Sequence, residues 1–415
     1  MVEPSLTHEA MRDYTYKRTT GRLARTVCVA LVAIAGTAVA VPGAQAATKL
    51  PGLPSWTGAG STAWWTKLPG QLRSVGWTLP SSGTPTPPKP PFSTGGGSSA
   101  PPTGGGGGVT TPVSTGSATT GKSFSGNFTN SAGTRSYTGY VPSTYKQGTA
   151  MPLVVVLHGC TQTSDVMRQL TRFDQLAEAK GFIVVFPQQS SSANSQSCWN
   201  FFQDAHIHRG GGEPAMIAGI TQWVQQNYTV DPKRTYVTGL SAGGAMASVM
   251  GATYPDLFAA IGVGSGCEYD AGAACAGYQS TDPTTAAKAA LTEMGSNARP
   301  LPVIDFQGDK DTTVPPVNAD QLVQQWTTTA AMASGASATA FSAPASTEDG
   351  QVPNGRSYTI KKYDDAGGNE LVEYWTVHGM THAWSGGCGC EQYSDPQGPD
   401  ETAAMYAFFV NHPMP

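Results

Sequence analysis

The stretch Thr235–Gly244 constrains the fold of this chain more than any other. A β-branched and aromatic run leads directly into Gly-Leu-Ser-Ala-Gly, and a small-residue helical pattern follows, so the sequence predicts a strand, a sharp turn and a helix. Side chains at Gly239 and Gly243 would collide with the neighbouring strand or helix. We therefore predict that Ser241 is a nucleophile at a helix start, with the Ala242 N–H free to donate to an oxyanion. A chance match in a chain with 50 glycines is the alternative.

Composition limits the classes of function. The chain has 415 residues, of which 39% are hydrophobic and 13% charged, so it can bury one large core. Its formal net charge is −4, whereas binding to nucleic acid or to an anionic membrane requires a concentrated positive patch. We expect neither of those partners and no stable membrane insertion, and we expect a monomer.

Residues 1–46 are predicted to be a secretory signal peptide. Basic residues precede the apolar run Val27–Val41, and Ala44-Gln45-Ala46 offers small-residue cleavage after Ala46. A retained anchor is the alternative, because signal and anchor differ mainly in length and flanks. The expected location is extracellular.

Residues 47–120 are predicted to be a linker, because they are rich in Gly, Pro, Ser and Thr. Four tryptophans occur in it, which either grip a substrate or partner or simply pack locally: Trp56, Trp64, Trp65 and Trp77.

Residues 121–415 are predicted to form an α/β catalytic domain. The run Leu153–Leu157 is apolar throughout, as in a strand buried on both faces, and a helical stretch from Met167 to Lys180 precedes a second such strand. Strands and helices alternate from there onward. We therefore predict a mostly parallel sheet with helices on both faces.

Ligands of such sheets bind at the carboxyl ends of the strands, where two later strands are followed by candidate acids and bases. Asp309 and Asp311 follow one strand, and His378 and His382 follow another, giving the chain order serine, acid, histidine. A serine needs an imidazole to take its proton, and the imidazole needs an acceptor to fix its tautomer. Loop reach favours Asp311 and His382.

The second oxyanion donor is expected in the loop after Leu153–Leu157. The N–H of Cys160 lies directly after a buried strand and is well placed for this role. We expect His158 to order that loop rather than to titrate in catalysis.

Without Cys28, which lies in the predicted signal peptide, six cysteines remain, an even number that suits an oxidising compartment. Proximity favours a Cys267–Cys275 bridge, and Cys160–Cys198 is a second prediction. The pair Cys388 and Cys390 either closes with strain or stays reduced.

The remaining residues of interest each have an ordinary structural interpretation beside a functional one. Trp199 and Trp384 either line a groove for an apolar ester or are core residues. Asp204, His206 and His208 have the residue types of a metal site, but in a Gly-rich loop they are interpreted as a solvated surface, so no metal and no cofactor are expected. Glu213 before a proline fits a helix N-terminus without a catalytic role.

Five motifs resemble the esterase family of poly(3-hydroxybutyrate) depolymerases, in particular its extracellular short-chain-length members with a central lipase box, which are related to feruloyl and acetylxylan esterases. The resemblance implies an α/β-hydrolase with Ser241, Asp311 and His382 as triad and with Cys160 and Ala242 as oxyanion hole. The motifs are Leu157–Thr163, Cys198–Asn200, Arg209–Pro214, Gly239–Gly244 and His382–Gly387.

The resemblance predicts a secreted serine esterase that hydrolyses short-chain-length polyhydroxyalkanoates. A feruloyl or acetylxylan esterase acting on plant-wall esters is the alternative, since it would share every catalytic residue. Depolymerases of this kind often carry a binding domain after a C-terminal linker, whereas the linker here is N-terminal. Soluble oligomers and amorphous polymer therefore remain open as substrates beside plant-wall esters.

Overall fold

The computed structural model describes residues 121–277 and 282–415 and is built around a ten-stranded sheet. Its strands are β1 (Lys122–Asn130), β2 (Gly133–Val141), β3 (Met151–Leu157), β4 (Ile183–Pro187), β5 (Val230–Leu240), β6 (Ala260–Gly264), β7 (Val303–Gly308), β8 (Ser346–Gln351), β9 (Ser357–Asp364) and β10 (Glu370–Val377). They lie in the order β1-β2-β4-β3-β5-β6-β7-β10-β9-β8. The six central strands are parallel, and an antiparallel pair extends the sheet at each side.

Helices cover both faces of the sheet. Gly262 of β6 lies against Met405 and Phe409 of the last helix, whereas the next side chain, Val263, contacts Gly244 on the opposite face. The described helices are α1 (Ser164–Thr171), α2 (Phe173–Lys180), α3 (Gly212–Asn227), α4 (Ala242–Thr253), α5 (Pro283–Met294), α6 (Val317–Ala333) and α7 (Glu401–Asn411).

Four of the six central strands are buried along their whole length. Every residue of β3, β4, β6 and β7 is buried. Parallel strands with helices on both faces have no solvated side, which explains their nearly continuous apolar sequences. The predicted α/β-hydrolase fold with a mostly parallel sheet is therefore confirmed.

The helical stretch predicted from Met167 to Lys180 is present, but it is divided into two helices. Arg172 separates them with a left-handed backbone (φ 56°). Its N–H still bonds to Arg168 O, and its guanidinium bonds to the Gly386 carbonyl in a distant loop. The local sequence pattern did not indicate the break at Arg172, where the side chain bonds to a residue outside both helices.

Three disulfides lie within the described residues. Cys160–Cys198 and Cys267–Cys275 join as predicted, with Cα atoms 4.1 and 5.8 Å apart. Cys388 and Cys390, for which closure and a reduced state were both open, are joined as well. Two further short strands, β11 (Trp384–Ser385) and β12 (Ser394–Asp395), pair with each other on either side of this third bridge.

The predicted signal peptide (1–46) and the predicted linker (47–120) with its four tryptophans lie outside the described residues. Among the helices that the structure does describe, none combines the length and the apolar composition needed to cross a membrane.

Candidate active site

Ser241 stands on a sharp turn between the central strand β5 and helix α4. Its backbone has φ 60° and ψ −121°, a conformation that non-glycine residues rarely adopt and that costs about 1–3 kcal/mol. The Ser241 N–H donates to Gly264 O at 2.8 Å, which fixes the turn against strand β6. The predicted strand, turn and helix are therefore present, and the surrounding structure holds the strained residue.

Two glycines make this turn possible. A Cβ on Gly239 would lie 2.6 Å from Leu157 O, and a Cβ on Gly243 would overlap the carbonyls of Leu157 and His158. Real Cβ atoms do not approach backbone this closely. The collisions expected from the sequence are thus the reason that the chain needs glycine on both sides of Ser241.

Asp311 and His382 are in direct contact. His382 Nδ1 lies 2.7 Å from Asp311 Oδ2, with 9% of the histidine side chain and none of the aspartate side chain exposed. The other carboxylate oxygen accepts the backbone N–H groups of Thr313 and Val314 at 2.8 and 2.9 Å. The carboxylate is therefore held in one orientation, and it can fix the imidazole tautomer that has its proton on Nδ1.

Neighbouring strands bring these two residues together. Asp311 follows β7 and His382 follows β10, and the two strands are adjacent and parallel. The Lys310 N–H donates to Met380 O at 3.0 Å, so the two loops are also joined to each other. Ser241 follows β5 at the same edge of the sheet, two strands from β7.

Asp309 and His378, the alternatives to Asp311 and His382 for the acid and the base, also contact each other. His378 Nδ1 lies 3.2 Å from Asp309 Oδ2, and its Nε2 lies 2.9 Å from Thr359 Oγ1. Their side chains are 40% and 30% exposed. The buried pair at this edge is the one made by Asp311 and His382.

The loop after β3 passes beside Ser241. A Cβ on Gly159 would lie 3.4 Å from the Ser241 Cβ, which places the neighbouring Cys160 next to the turn. Ala242 is the first residue of α4, so its N–H has no acceptor within the helix. Both predicted oxyanion residues therefore lie beside the serine.

His158 orders this loop. It is fully buried, its Nε2 accepts the Gln189 N–H at 3.0 Å, and its Nδ1 lies 2.7 Å from Gly159 O. This pattern requires a neutral ring with its proton on Nδ1. Burial lowers the pKa of His158 to about 4, so the ring stays neutral at physiological pH.

Trp199 and Trp384 are core residues, and their predicted place on the walls of a substrate groove is corrected. Both are fully buried. The indole of Trp199 donates to His158 O at 3.1 Å, and that of Trp384 donates to Thr402 Oγ1 at 2.9 Å. A side chain with no exposed surface and a satisfied N–H offers a ligand no contact.

The three candidate metal ligands do not converge. His208 lies between two carboxylates, 3.2 Å from Asp204 and 2.8 Å from Glu293. His206 Nδ1 instead accepts the Glu213 N–H at 3.2 Å. The hydrogen bond to Glu293 raises the pKa of His208, which favours a surface ion pair.

Tyr393 escaped the sequence reasoning, and the burial of Glu213 was not foreseen. Tyr393 has a left-handed backbone (φ 65°), and its ring centroid lies 5.7 Å from that of His382. Glu213 lies in the first turn of α3, as expected, but it is fully buried among hydrogen-bond donors. Only the sequence Gly-Glu-Pro marked Glu213, and that pattern equally fits an ordinary helix start.

Comparison with known proteins finds similarity to esterases in the family profile and in individual sequences. The profile of the family described as "Esterase PHB depolymerase" matches residues 135–348. The chain is 36% identical over 239 residues to poly(3-hydroxyalkanoate) depolymerase C of Paucimonas lemoignei, covering 56% of this chain and 54% of that protein. It is 35% identical over 212 residues to acetylxylan esterase A of Talaromyces purpureogenus, covering 48% and 54%. The chain thus spans about half the length of these relatives.

A solved structure is similar too. The acetyl xylan esterase from Aspergillus awamori superimposes with a TM-score of 0.53 at 26% identity, covering 67% of this chain and 94% of that one. The similarity therefore extends from the sequence to the arrangement of the sheet and helices.

Proposed function

The chain belongs to the family described as esterase PHB depolymerase, and from this premise we propose that it is a secreted serine esterase that cleaves short-chain-length polyhydroxyalkanoates or their oligomers. One observation carries the proposal: the buried Asp311–His382 hydrogen bond lies at the sheet edge where Ser241 occupies its strained turn. A serine beside such a pair has the groups that nucleophilic attack on an ester requires.

The proposed mechanism uses an acyl-enzyme. Ser241 Oγ attacks the ester carbonyl while His382 Nε2 takes its proton, because Nδ1 is already committed to Asp311. The N–H groups of Cys160 and Ala242 stabilise the oxyanion. His382 then protonates the leaving alcohol, and water attacks the acyl-enzyme with His382 as base, releasing the acid and restoring Ser241.

The choice of substrate rests on the relatives. The 36% identity to the poly(3-hydroxyalkanoate) depolymerase of Paucimonas lemoignei supports a polyester as the substrate of this chain. The second candidate, an acetylxylan or feruloyl esterase, is favoured by the acetylxylan esterases of similar identity and by the solved Aspergillus awamori structure. Both candidates use the same proposed catalytic groups and differ in the ester that is bound.

Substrate assays with a Ser241→Ala control test the proposal. We expect the secreted protein to clear a suspension of amorphous polyhydroxybutyrate faster than it releases acetate from acetylated xylan or ferulate from arabinoxylan. Ser241→Ala should lower hydrolysis of a short p-nitrophenyl ester by about 10⁴-fold or more. No clearing, with rapid acetate or ferulate release, would replace the polyester by the second candidate. Full activity of Ser241→Ala would refute the serine mechanism.

We propose secretion and the domain division on the same grounds. Residues 1–46 act as signal peptide, 47–120 as linker and 121–415 as catalytic domain. The three disulfides support an oxidising compartment. Mass spectrometry of the exported protein should find an N-terminus at Ala47, whereas a mature chain that keeps residues 1–46 would contradict the signal peptide.

A further inference from the structure

Glu213 is a buried carboxylate for which the proposed chemistry has no use. It lies in the first turn of α3 with no exposed surface. Its Oε2 accepts the Asn200 N–H at 2.6 Å, and its Oε1 accepts the Asn200 side-chain amide at 2.7 Å and also the Gln189 amide. Arg135 Nη2 lies 3.5 Å from the same oxygen. Burying a carboxylate is costly, and here hydrogen bonds and a cation compensate for the cost.

One donor to Glu213, Asn200, belongs to a segment that holds the loop beside Ser241. Asn200 directly follows Cys198 and Trp199. Cys198 is bonded to Cys160, and the Trp199 indole donates to His158 O at 3.1 Å. Fixing Asn200 therefore fixes two attachments of the His158–Cys160 loop.

Gln189 links Glu213 to the same loop by a second route. Its side-chain amide donates to Glu213 and, at 2.9 Å, to Cys198 O. Its backbone N–H donates to His158 Nε2 at 3.0 Å. The segments that hold the loop thus meet at one carboxylate.

We propose that Glu213 is a positioning residue for the oxyanion hole: by fixing Cys198–Asn200 and Gln189, it holds the Cys160 N–H where it stabilises the oxyanion. This inference rests on the proposed function, in which Cys160 is an oxyanion donor. An oxyanion donor acts more strongly on the transition state than on the bound substrate. Displacing it should therefore lower kcat and leave KM nearly unchanged.

Glu213→Gln is the sharpest substitution. The glutamine keeps the size of the side chain but replaces one acceptor oxygen by an NH₂ group, which then faces the N–H donors of Asn200 and Gln189. We expect kcat for p-nitrophenyl acetate to fall by about 10- to 100-fold with KM within about twofold, since complete removal of an oxyanion donor costs about 10²–10³-fold. Ki of a boronic acid that forms a tetrahedral adduct on Ser241 should rise in proportion.

Glu178→Gln is the matched control. Glu178 also accepts hydrogen bonds from one backbone N–H and from side chains, those of Ser143 and Tyr140, but it joins β2 to α2. None of the hydrogen bonds that Glu178 makes with the described residues involves the loop beside Ser241. We expect the control to keep kcat, KM and the boronic acid Ki of the wild type.

Trp199→Phe keeps the test decisive if Glu213→Gln does not fold. This change removes the indole N–H bond to His158 O and retains an aromatic ring in the core. We expect kcat to fall by about three- to tenfold, again with a proportional rise in the boronic acid Ki and little change in KM.

The outcomes separate this inference from the proposed function. If a fluorophosphonate labels Ser241 in the wild type and in each folded variant, kcat can be expressed per active site. Unchanged kcat and Ki in Glu213→Gln, or in Trp199→Phe where the former does not fold, would overturn the positioning role, even with a lowered melting temperature. A wild type that is neither labelled nor active would overturn the proposed function instead.

Discussion

The imidazole of His382 contacts the carboxylate of Asp311 through Nδ1 at 2.7 Å, and both side chains are almost fully buried. A second histidine–aspartate pair, His378 with Asp309, lies on the same two loops at 3.2 Å and is partly exposed. Each loop offers one residue to each pair. The two pairs therefore form a natural comparison, in which only the buried one is proposed to act on Ser241.

Asp311→Asn should lower kcat far more than Asp309→Asn. The asparagine oxygen is expected to keep the bonds to the Thr313 and Val314 N–H groups, which turns its NH₂ donor towards His382 Nδ1. The tautomer that leaves Nε2 free to accept a proton is then lost. We expect a loss of about 10³–10⁴-fold for Asp311→Asn and a change within about twofold for Asp309→Asn. Steady-state hydrolysis of a p-nitrophenyl ester by both variants measures this difference. Equal losses, or a larger loss at Asp309, would show that the acid is misassigned.

Gly243→Ala should destabilise the protein and abolish its activity. The added methyl group would overlap the carbonyls of Leu157 and His158, which belong to β3 and the loop after it. We expect a loss of about 3 kcal/mol or more in the free energy of unfolding, because backbone cannot move aside as a side-chain end can. Gly251→Ala in the same helix serves as the control, because the three atoms nearest to its added methyl group are the side-chain ends of Leu301, Ile261 and Trp326. Urea denaturation compares the two, and similar stability of both would contradict this account of the turn.

His158 should make the folded state sensitive to acid. Burial lowers its pKa from 6.5 to about 4, so the unfolded chain binds a proton near pH 6.5 whereas the folded chain does so only near pH 4. Acidification between these values therefore favours unfolding, by up to about 3 kcal/mol. Below both values no further loss comes from this group.

The measurement is urea denaturation of the wild type and of His158→Gln at pH 7 and at pH 4.5. The wild type should lose more stability than the variant over this range, by about 2–3 kcal/mol. His378→Gln, at a 40% exposed histidine, provides the control and should follow the wild type. Parallel losses in the wild type and His158→Gln would show that the ring is not held neutral.

Asp305→Asn should stabilise the protein at alkaline pH. Asp305 is fully buried in β7, and neither carboxylate oxygen has a hydrogen-bond partner among the described residues. Burial, and secondarily the nearby Asp320, raise its pKa well above the usual value. The folded state keeps the proton that the unfolded state releases above about pH 4, so stability is lost as pH rises.

Asparagine does not ionise, so it removes this loss. At pH 8 we expect Asp305→Asn to unfold at a higher temperature than the wild type and to have a free energy of unfolding about 1 kcal/mol or more above it. This difference in free energy should shrink towards pH 4. Calorimetry at the two pH values measures it. A difference that is constant with pH would mean that Asp305 does not change its proton affinity on folding.

Local signals predicted the elements well where they were strong. The buried strands β3 and β4 were recognisable as continuous apolar runs, and the Ser241 turn as a strand–glycine–helix pattern. The break at Arg172 was missed because each half of the stretch looks helical. The helix α5 and the edge strand β8 were also missed, since β8 reads Ser-Thr-Glu-Asp-Gly-Gln and has little apolar character.

The site was predictable in part. Loop reach favoured Asp311 and His382, which do form a hydrogen bond, although their catalytic roles remain a prediction. The sequence left a groove wall and a core position both open for Trp199, because an aromatic residue in a loop gives the same signal whether its ring faces solvent or the core. Glu213 was read as a helix-start carboxylate, since its partners Asn200 and Gln189 are 13 and 24 positions away in the sequence.

The amino-acid sequence by itself determined the class of fold, the order of the serine, acid and histidine, and the need for glycine around Ser241, because these follow from patterns a few residues long. Loop reach favoured His382, but it was the tertiary structure that decided that His382, 71 positions from Asp311, rather than His378 meets that carboxylate. Tertiary structure alone decided that Glu213 meets the segment joined to Cys160. Such pairings depend on which strands become neighbours and on how their loops pack, and residues distant in sequence carry no local signal of either.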